Sequence, residues 1–516
     1  MVGLGRFRFG LSDTAAVRLN GTYEEFANHR DQFGGHFIGI APTAAFLLGD
    51  RTKLAAAYEY AEDQRVTDRG VPSFSGAPIT GFEKTFFGSP AVNTSKVTAH
   101  IARIRLDHEL ADGLTFNVTG QYATYDKYYG NILPGAVNAA RTTAALTGYR
   151  STNQRDNWIG QANFIWKGET GALRHTILAG VEAGDQASNA SRDDVRFAGA
   201  TSVTVPLALQ ITVPTVSWVA TSASRSAVRT FSAYVQDQLE IGEHLQLIAG
   251  ARHDDFRIEA TDLRTGLVTQ RSDGKWSPRF GLIIKPQANI SLYTSYTKSF
   301  LPQTGDQFNT LAITLQTLEP ESFRNLEAGV KWDISKQIAF TAAVFQLDRS
   351  NTRAADPLTG NTVLTGSSRV KGFEGAVSGQ ITPQWQASLG YSHQTGKILT
   401  TTTAAPAGRQ LDKLPRDQIS AWTRYDVSPK LGLGRLGLGL GLVHQSSQFA
   451  AISNAVRLPA FTRLDAAVYY NVSDAFSLQL NVENLTDARY FPSAQSDNNI
   501  TTGEPINARL TARVKF

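Results

Sequence analysis

The sequence predicts an all-β protein, a transmembrane antiparallel up-and-down β-barrel of the 22-strand type. Three observations support this: an error-free alternation of apolar and polar residues at the C-terminus, its repetition along the chain, and a regular succession of short turns and long polar segments. Because side chains alternate between the two faces of a strand, this pattern gives one apolar face and one polar face. In a membrane barrel the apolar face contacts lipid and the polar face lines a wet interior.

The alternation is clearest in the last ten residues, 507–516. The apolar face of this segment carries Ala508, Leu510, Ala512, Val514 and Phe516, and the residues between them are polar. The same period of two recurs in residues 17–23, 158–166, 385–391, 463–472 and 476–483. No stretch of comparable length has sustained helical spacing, so the chain is predicted to consist of strands.

Composition agrees with a membrane barrel and excludes several functions. The 516 residues are 41% hydrophobic, include 44 glycines, and carry a formal net charge of +5. No apolar run approaches the roughly 18 residues that a membrane-spanning helix needs. The complete absence of cysteine excludes disulfides, thiolate metal sites and a cysteine nucleophile. No basic cluster with interleaved aromatic residues is present, so nucleic-acid binding is not expected.

Short turns and long segments alternate along the chain. The predicted turns are residues 11–13, 49–51, 111–113, 168–171, 241–243, 285–287, 333–336, 381–383, 427–434 and 472–474. The predicted long loops are residues 62–94, 126–155, 185–229, 299–323, 349–368 and 396–416. Ten turns join twenty strands, and the terminal strand makes about 21.

An antiparallel barrel of one chain needs an even number of strands. One strand is therefore expected to be missing, and the first turn leaves room for only residues 3–10 before it. Residues 1–10 also lack the apolar core and cleavage site of a signal peptide. We therefore expect the chain to be truncated at its N-terminus.

Several motifs resemble those of TonB-dependent siderophore receptors. They are Trp276-Ser-Pro-Arg-Phe-Gly-Leu282, Ser291-Leu-Tyr-Thr-Ser-Tyr-Thr-Lys-Ser-Phe-Leu-Pro302, Leu318-Glu-Pro-Glu-Ser-Phe-Arg-Asn-Leu-Glu-Ala-Gly-Val-Lys-Trp-Asp333, Arg369-Val-Lys-Gly-Phe-Glu374 and Leu480-Asn-Val-Glu-Asn-Leu-Thr-Asp-Ala-Arg-Tyr490. Others look most like the catecholate branch: Asp68-Arg-Gly-Val-Pro-Ser-Phe74, Thr85-Phe-Phe-Gly88, Tyr125-Asp-Lys-Tyr-Tyr129, Pro134-Gly-Ala-Val-Asn138 and Ala355-Asp-Pro-Leu-Thr-Gly360. The resemblance covers essentially the whole chain.

The resemblance implies an outer-membrane barrel that takes up a ferric siderophore and is energised through the TonB-ExbB-ExbD system. Family members also have a signal peptide, a TonB box and a plug domain, so residues 1–516 are expected to be the barrel without the plug. The end of the chain resembles the signal read by the barrel-assembly machinery. That signal would comprise Arg509, Leu510, Arg513, Val514 and Phe516. Outer-membrane lipid is the remaining expected partner.

Ligand-binding residues are expected on the long extracellular loops. A catecholate siderophore already saturates its iron with oxygen ligands, so the receptor meets a bulky, aromatic anion. Recognition then requires Arg or Lys for the charge and aromatic side chains for the rings. The candidates are Arg69, Phe74, Lys84, Phe86, Phe87, Lys127, Tyr128, Tyr129 and Trp218, with the pair Tyr128–Tyr129 beside Lys127 as the foremost. Each competes with an ordinary role as an interface aromatic or a solvated cation.

No catalytic, metal or cofactor site is predicted. The nine histidines are scattered without the spacing of a metal site. Adjacent carboxylates such as Asp254 and Asp255 face opposite sides of a strand and cannot act as an acid–base pair. Two alternatives to a siderophore receptor remain open at this point: a passive porin or translocator barrel, and an outer-membrane enzyme.

Overall fold

A computed structural model describes residues 2–302, 319–355, 362–402, 405–427 and 435–515. These ranges contain strands and turns, and no helix in them is long and apolar enough to cross a membrane. In chain order the strands are β1 Val2–Ser12, β2 Ala15–Phe26, β3 Gly35–Leu47, β4 Thr52–Arg65, β5 Ser73–Phe74, β6 Ala77–Pro78, β7 Thr94–Ala111, β8 Leu114–Val137, β9 Thr143–Thr170, β10 Leu173–Arg196, β11 Val203–Pro206, β12 Ser217–Ile241, β13 Leu245–Asp262, β14 Val268–Gln287, β15 Ile290–Leu301, β16 Glu321–Asp333, β17 Ile338–Ala355, β18 Thr362–Thr382, β19 Trp385–Ile398, β20 Asp417–Asp426, β21 Arg435–Gln445, β22 Gln448–Phe449, β23 Arg457–Leu458, β24 Phe461–Asn471, β25 Phe476–Glu483, β26 Ser493–Ser496, β27 Asn499–Thr501 and β28 Asn507–Val514.

Within the described ranges, 22 strands form one antiparallel sheet, and three short hairpins stand apart from it. One of the 22, β11, is a four-residue strand that pairs only with the outer end of β9. The remaining 21 are long strands, which agrees with the number expected from the turns. The sequence prediction of an all-β, antiparallel fold is confirmed.

The chain divides into two compact units. The first comprises Met1–Gly70, Phe82–Gly281 and Thr297–Phe323, and the second comprises Val71–Gly81, Leu282–Tyr296 and Arg324–Phe516. In the first unit, each long strand from β1 to β13 pairs with the next long strand. In the second, the same holds from β17 to β28. Consecutive pairing is the meander that the alternating turns predict.

One face of these strands exposes large apolar side chains. Leu440 is 60% exposed, Leu510 68%, Val514 61% and Trp158 62%. The strand neighbours of Leu440, Leu510 and Val514 on the other face are polar or small, so their exposure follows the period of two. A continuous exposed apolar surface of this kind is the mark of a face that contacts hydrocarbon.

Eight of the ten predicted turns lie at or within about two residues of a break between strands, the predicted turn 285–287 belongs to the end of β14 with the observed turn at 288–289, and nearly all of 427–434 lies outside the described residues. The long segments contain more strand than predicted. Residues 126–155 were expected to form a loop, yet β8 extends to Val137 and β9 begins at Thr143. Residues 185–229 likewise hold the ends of β10 and β12. Hairpin pairing continues beyond the apolar belt because backbone hydrogen bonding does not require an apolar face. Most of the segment 299–323 and residues 356–361, 428–434 and 516 lie outside the described residues.

The motif that ends at Tyr490 has a structural explanation. Asn484 is fully buried, has a positive φ of 54°, and follows directly after β25. Its side-chain amide donates to the carbonyl oxygens of Ala488 and Glu504, each at 2.9 Å, and its side-chain oxygen accepts from the N–H of Ala488. Asparagine tolerates the left-handed conformation and satisfies these buried groups at once. The motif therefore anchors the loop between β25 and β28.

The terminal strand β28 has the two faces that its sequence predicts. Leu510 pairs across the strands with Leu480 on the apolar face, and Arg509 pairs with Asn481 on the polar face. Phe516, the last residue of the pattern, lies outside the described residues.

Candidate ligand-binding site

The buried Asn93 helps to attach the segment 66–93 to β8, together with Thr67, whose hydroxyl donates to the carbonyl oxygen of Gly130 at 2.7 Å. Asn93 is 0% exposed, and its amide donates to the carbonyl oxygens of Thr67 and Ile132, each at 2.9 Å. Its side-chain oxygen accepts from the N–H groups of Ile132 at 3.0 Å and Ser89 at 3.1 Å. Gly130 completes the junction, because a Cβ there would lie 2.6 Å from the carbonyl oxygen of Val92. The sequence thus holds this segment against the outer part of β8.

Substitution Asn93→Ala is expected to destabilise this attachment by about 2–3 kcal/mol, because four backbone groups lose a hydrogen bond to Asn93 and three of these bonds are buried. Hydrogen–deuterium exchange of residues 66–93 and of the Ile132 amide is the measurement. Asn138→Ala is the matched control, since Asn138 also accepts from two backbone N–H groups but is exposed. Equal exchange in the two variants would contradict the role given to Asn93.

A second anchor lies at Arg30, between β2 and β3. Arg30 forms a two-pronged ion pair with Asp68, with N–O distances of 2.6 and 2.9 Å, and the two side chains are only 4% and 9% exposed. It also donates to the carbonyl oxygens of Gly70 at 3.1 Å and Glu83 at 2.8 Å. One guanidinium therefore joins three separate stretches of the first unit and fixes the residue next to Asp68, which is Arg69.

Arg69 meets two tyrosines, and we call Arg69, Tyr129, Tyr149 and Arg192 the aromatic–arginine cluster. Arg69 donates to the Tyr149 hydroxyl at 3.1 Å and lies 5.0 Å from the centre of the Tyr129 ring. The two tyrosine rings stack at 6.0 Å with an interplanar angle of 28°. Arg192 lies 3.9 Å from the centre of the Tyr149 ring. Stacked rings between guanidinium groups are suited to an aromatic anion.

Strand register explains why these side chains share a face. Tyr129 on β8 pairs with Ser151 on β9, which pairs with Arg192 on β10, and Tyr149 lies two residues from Ser151. Residues directly opposite, or two apart along a strand, point to the same side of a sheet. This is the polar face of these strands, since the opposite face of β8 and β9 carries exposed Val118 and Trp158.

Burial raises the pKa of Tyr129 to about 12, and this effect outweighs the opposing charge of Arg69. Tyr129 lies fifteen residues after Leu114, the first residue of β8. A membrane-spanning strand needs only about 9–11 residues, so Tyr129 stands beyond the apolar belt. Its hydroxyl therefore remains protonated throughout the physiological range and keeps a proton that it can donate in a hydrogen bond.

We expect the free energy of unfolding to fall between pH 10 and pH 12 partly through Tyr129. The unfolded chain loses this proton near pH 10 and the folded protein only near pH 12, so the folded state binds more protons in this interval and stability declines as pH rises. Tyr129→Phe should reduce the decline and remove a tyrosinate absorbance step near pH 12. A step near pH 10 in the difference between the two proteins would contradict the burial argument.

The opposite face of the same strands is covered by a small hydrophobic core. Ile132, Leu146, Val195, Phe197 and Val205 are buried together, and Trp218 packs against them. Arg150 lies 4.8 Å from the centre of the Trp218 ring and forms an ion pair with Asp193 at 2.7 Å. The uncharged stretch 198–224 supplies the apolar residues that cover this face. Trp218 therefore stabilises the hairpins from the face opposite to Tyr149.

The structure places the predicted ligand residues in different settings. Arg69 and Tyr129 belong to the aromatic–arginine cluster. Lys127 shares their face, is exposed and lies 5.5 Å from the Tyr125 ring centre. Tyr128 and Tyr129, the foremost pair predicted from the sequence, both lie within β8 and point to opposite faces, so they are not side by side on one surface.

The remaining candidates lie on the segment 66–93. Phe86 and Phe87 are buried at 6% and 2% exposure, so their rings pack inside the protein rather than facing a ligand. Lys84 is exposed, and its carbonyl oxygen accepts from the N–H of Asp31 at 2.8 Å. Phe74 is half-buried on the β5–β6 hairpin of the second unit.

Sequence reasoning missed Tyr149, Arg150 and Arg192, and also the buried anchor Arg30. The first two were assigned to a loop, where an aromatic residue next to an arginine has no defined orientation. Treating residues 143–155 as a strand would have put Tyr149 on the polar face. Arg30 gives no sequence signal, since its partner Asp68 is 38 residues away.

The polar face continues from this cluster into a hydrogen-bonded network nearer the short turns. Arg252 binds Glu182 at 2.9 Å and Asp254 at 2.6 Å. Tyr234 donates to Asn163, which in turn donates to Asn117 at 2.9 Å. Among the described residues, no group of three His, Asp or Glu side chains is arranged to hold a metal ion.

Comparison with known proteins identifies relatives over nearly the whole chain. Residues 41–485 match the family model "TonB dependent receptor-like, beta-barrel". The probable TonB-dependent siderophore receptor PiuA of Acinetobacter baumannii is 27% identical over 565 residues, covering 99% of this chain and 74% of the relative. The catecholate siderophore receptor Fiu of Escherichia coli is 27% identical over 573 residues, covering 98% and 73%. The crystal structure of PiuA superimposes with a TM-score of 0.86 at 25% identity, covering 98% of this chain and 78% of that one.

Proposed function

Because this chain belongs to the family of TonB-dependent receptor-like β-barrels, an outer-membrane family of receptors and not of enzymes, we propose that it recognises a ferric siderophore of the catecholate class. The observation that carries the proposal is the aromatic–arginine cluster on the polar face of β8–β10. A ferric tris-catecholate is aromatic and strongly anionic, and the cluster offers stacked tyrosines, two guanidinium groups and the protonated hydroxyl of Tyr129. Uptake in this proposal is energised through the TonB-ExbB-ExbD system.

Two further points support this choice of ligand. Among the relatives, Fiu is by its name a catecholate siderophore receptor, and PiuA a siderophore receptor. A neutral hydroxamate complex would gain little from the guanidinium groups, whereas an anionic catecholate complex gains charge-assisted hydrogen bonds. The passive porin has no comparable support, because nothing in the cluster favours non-selective flow.

The proposal is tested by titrating the purified protein in detergent with ferric tris-catecholate and with ferric tris-hydroxamate complexes. Quenching of tryptophan fluorescence reports binding in each titration. We expect the catecholate complex to bind at least ~10-fold more tightly, which corresponds to about 1.4 kcal/mol. Equal or reversed affinities would overturn the assignment of the ligand class. Growth under iron limitation on single siderophores, with the complete gene, then tests uptake.

We also propose that the terminal strand is recognised by the barrel-assembly machinery. Support comes from the exposed apolar face of β28, with Leu510 and Val514, and the opposite polar face with Arg509 and Arg513. Removal of Phe516 is expected to reduce the amount of protein in the outer membrane without changing the affinity of the purified protein for its ligand. Unchanged amounts in the membrane would contradict this role. Outer-membrane lipid is then the partner of the exposed apolar face.

A further inference from the structure

A polar cavity of about 360 Å³ lies in the loop region of the second unit. It is bounded by the end of β19, the segment 409–417 and the β22–β23 hairpin. Three cationic residues line it, Lys397, Arg416 and Arg457, and Asp417 is the one acidic residue among the lining residues described. The cavity is separate from the aromatic–arginine cluster, which lies in the first unit.

The walls of this cavity are held by backbone hydrogen bonds. The N–H of Gln394 donates to the carbonyl of Arg416 at 2.8 Å, and the N–H of Leu411 donates to the carbonyl of Gly396 at 3.1 Å. Gly396 allows this close approach, because a Cβ there would collide with Leu414. The cavity is therefore built before any ligand arrives, which lowers the entropy cost of binding.

The third wall is fixed in the same way. The N–H of Lys413 donates to the carbonyl of Phe449 at 2.9 Å, which ties the segment 409–417 to the β22–β23 hairpin. On that hairpin Arg457 donates to the hydroxyl of Ser447 at 2.9 Å, and Ser447 also lines the cavity. The position of the Arg457 guanidinium is thus set by a neutral partner, and its charge remains available to an anion.

The positive charge of the cavity is balanced only in part, because three cationic residues and one carboxylate line it. The carboxylate of Asp417 accepts hydrogen bonds from His393 at 2.7 Å and Tyr391 at 2.9 Å, and it interacts electrostatically with Arg416. An excess of cations around one cavity raises the local concentration of anions.

The adjoining strand adds to this charge. Arg369 on β18 is directly opposite Lys397 on β19, and like charges in that position destabilise a sheet. Arg369 is itself bound to Asp348, but it shares this carboxylate with Arg324. An anion beside Lys397 would relieve the repulsion, so the arrangement favours an occupied cavity.

We propose that this cavity binds a phosphate-class anion. Two guanidinium groups offer the planar paired donors that match phosphate oxygens, the Lys397 ammonium adds a point charge, and the Ser447 hydroxyl adds a polar contact. The volume suits one or two phosphate groups and is too small for a ferric siderophore. The anion can be a free phosphate compound or the phosphorylated headgroup of a lipid, since both present the same chemistry.

The test uses the purified full chain and two probes. Binding of inorganic pyrophosphate is measured by isothermal titration calorimetry. Binding of lipid A, presented in mixed detergent micelles, is measured by native mass spectrometry. We expect pyrophosphate to bind the unmodified protein and to bind at least ~10-fold more weakly to the triple variant K397Q, R416Q, R457Q. Binding of both probes, lost together in the variant, would assign the headgroup of a lipid as a ligand. Binding of pyrophosphate alone would assign a soluble phosphate.

Two controls keep the result interpretable. The triple variant K285Q, K336Q, R435Q removes the same charge near the short turns and should bind both probes normally. The single variant Arg416→Lys keeps the charge but loses the paired donors, and should give an intermediate affinity even if the first triple variant fails to fold. Absence of binding to the unmodified protein, or equal binding by the cavity and control variants, would overturn the proposal. Binding of the ferric catecholate complex should be unchanged in all of them, which separates this site from the proposed receptor function.

Discussion

Replacement of Arg30 by methionine should loosen the two parts of the segment 66–93 that belong to the first unit, residues 66–70 and 82–93. The change leaves the carboxylate of Asp68 buried without its cation and removes the Arg30 donor from the carbonyls of Gly70 and Glu83. Removing one partner of a buried ion pair costs about 3–5 kcal/mol. We therefore expect amide exchange in this segment to rise ~100-fold or more, as measured by hydrogen–deuterium exchange. Affinity for the ferric catecholate complex should fall as well, because Arg69 follows directly after Asp68.

The control for this experiment is Arg229→Met. Arg229 also forms an ion pair, with Asp185 at 3.2 Å, but the two side chains are 77% and 54% exposed. An exposed pair contributes little, so its loss should leave exchange nearly unchanged. The double variant Arg30→Met, Asp68→Leu should exchange more slowly than Arg30→Met alone, since no uncompensated charge remains. If the double variant were no slower, the buried charge could not be the source of the effect.

The second large effect is expected from Tyr149→Ala. Tyr149 is the shared member of the cluster: it stacks on Tyr129, accepts from Arg69 and lies beneath Arg192. Removing a central aromatic residue from a binding site typically costs 2 kcal/mol or more. We expect the affinity for the ferric catecholate complex to fall ~30-fold or more, as measured by fluorescence titration.

Two variants calibrate this result. Tyr149→Phe keeps the ring and loses only the hydroxyl that Arg69 contacts, so its effect should be about 0.5–1.5 kcal/mol. Tyr128→Ala removes a tyrosine of the same strand from the opposite face and should leave the affinity unchanged. A loss of affinity in Tyr128→Ala as large as that in Tyr149→Ala would show that the ligand does not bind the polar face.

The sequence was sufficient to predict the strands, because their faces are set by short-range alternation. Leu510 and Arg509 illustrate this, since each points to the face that its position in the pattern predicts. The ten short turns follow from the same pattern, because a turn marks where alternation is interrupted by Gly, Asp or Pro. These features depend on residues close together in the chain.

The functional site was predicted only in part. Arg69 and Tyr129 were identified by residue type, but the residues that bring them together were not. Asn93, Arg30 and Tyr149 act on partners tens of residues away, and no periodic pattern encodes such contacts. Trp218 is an example of a sequence signal without its explanation. The sequence shows that its surroundings are uncharged, but only the packing of the segment 198–224 on β8–β10 explains why. Burial between distant segments is therefore the information that the sequence alone did not provide.

The length of β9 determines how far from the membrane the aromatic–arginine cluster lies. Its 28 residues extend over about 90 Å, of which a tilted membrane crossing uses less than half. Tyr149 lies near the outer end of this strand, so the cluster stands well above the plane of the lipid headgroups. A ligand that arrives from outside the cell can therefore contact the cluster before it reaches the depth of the membrane.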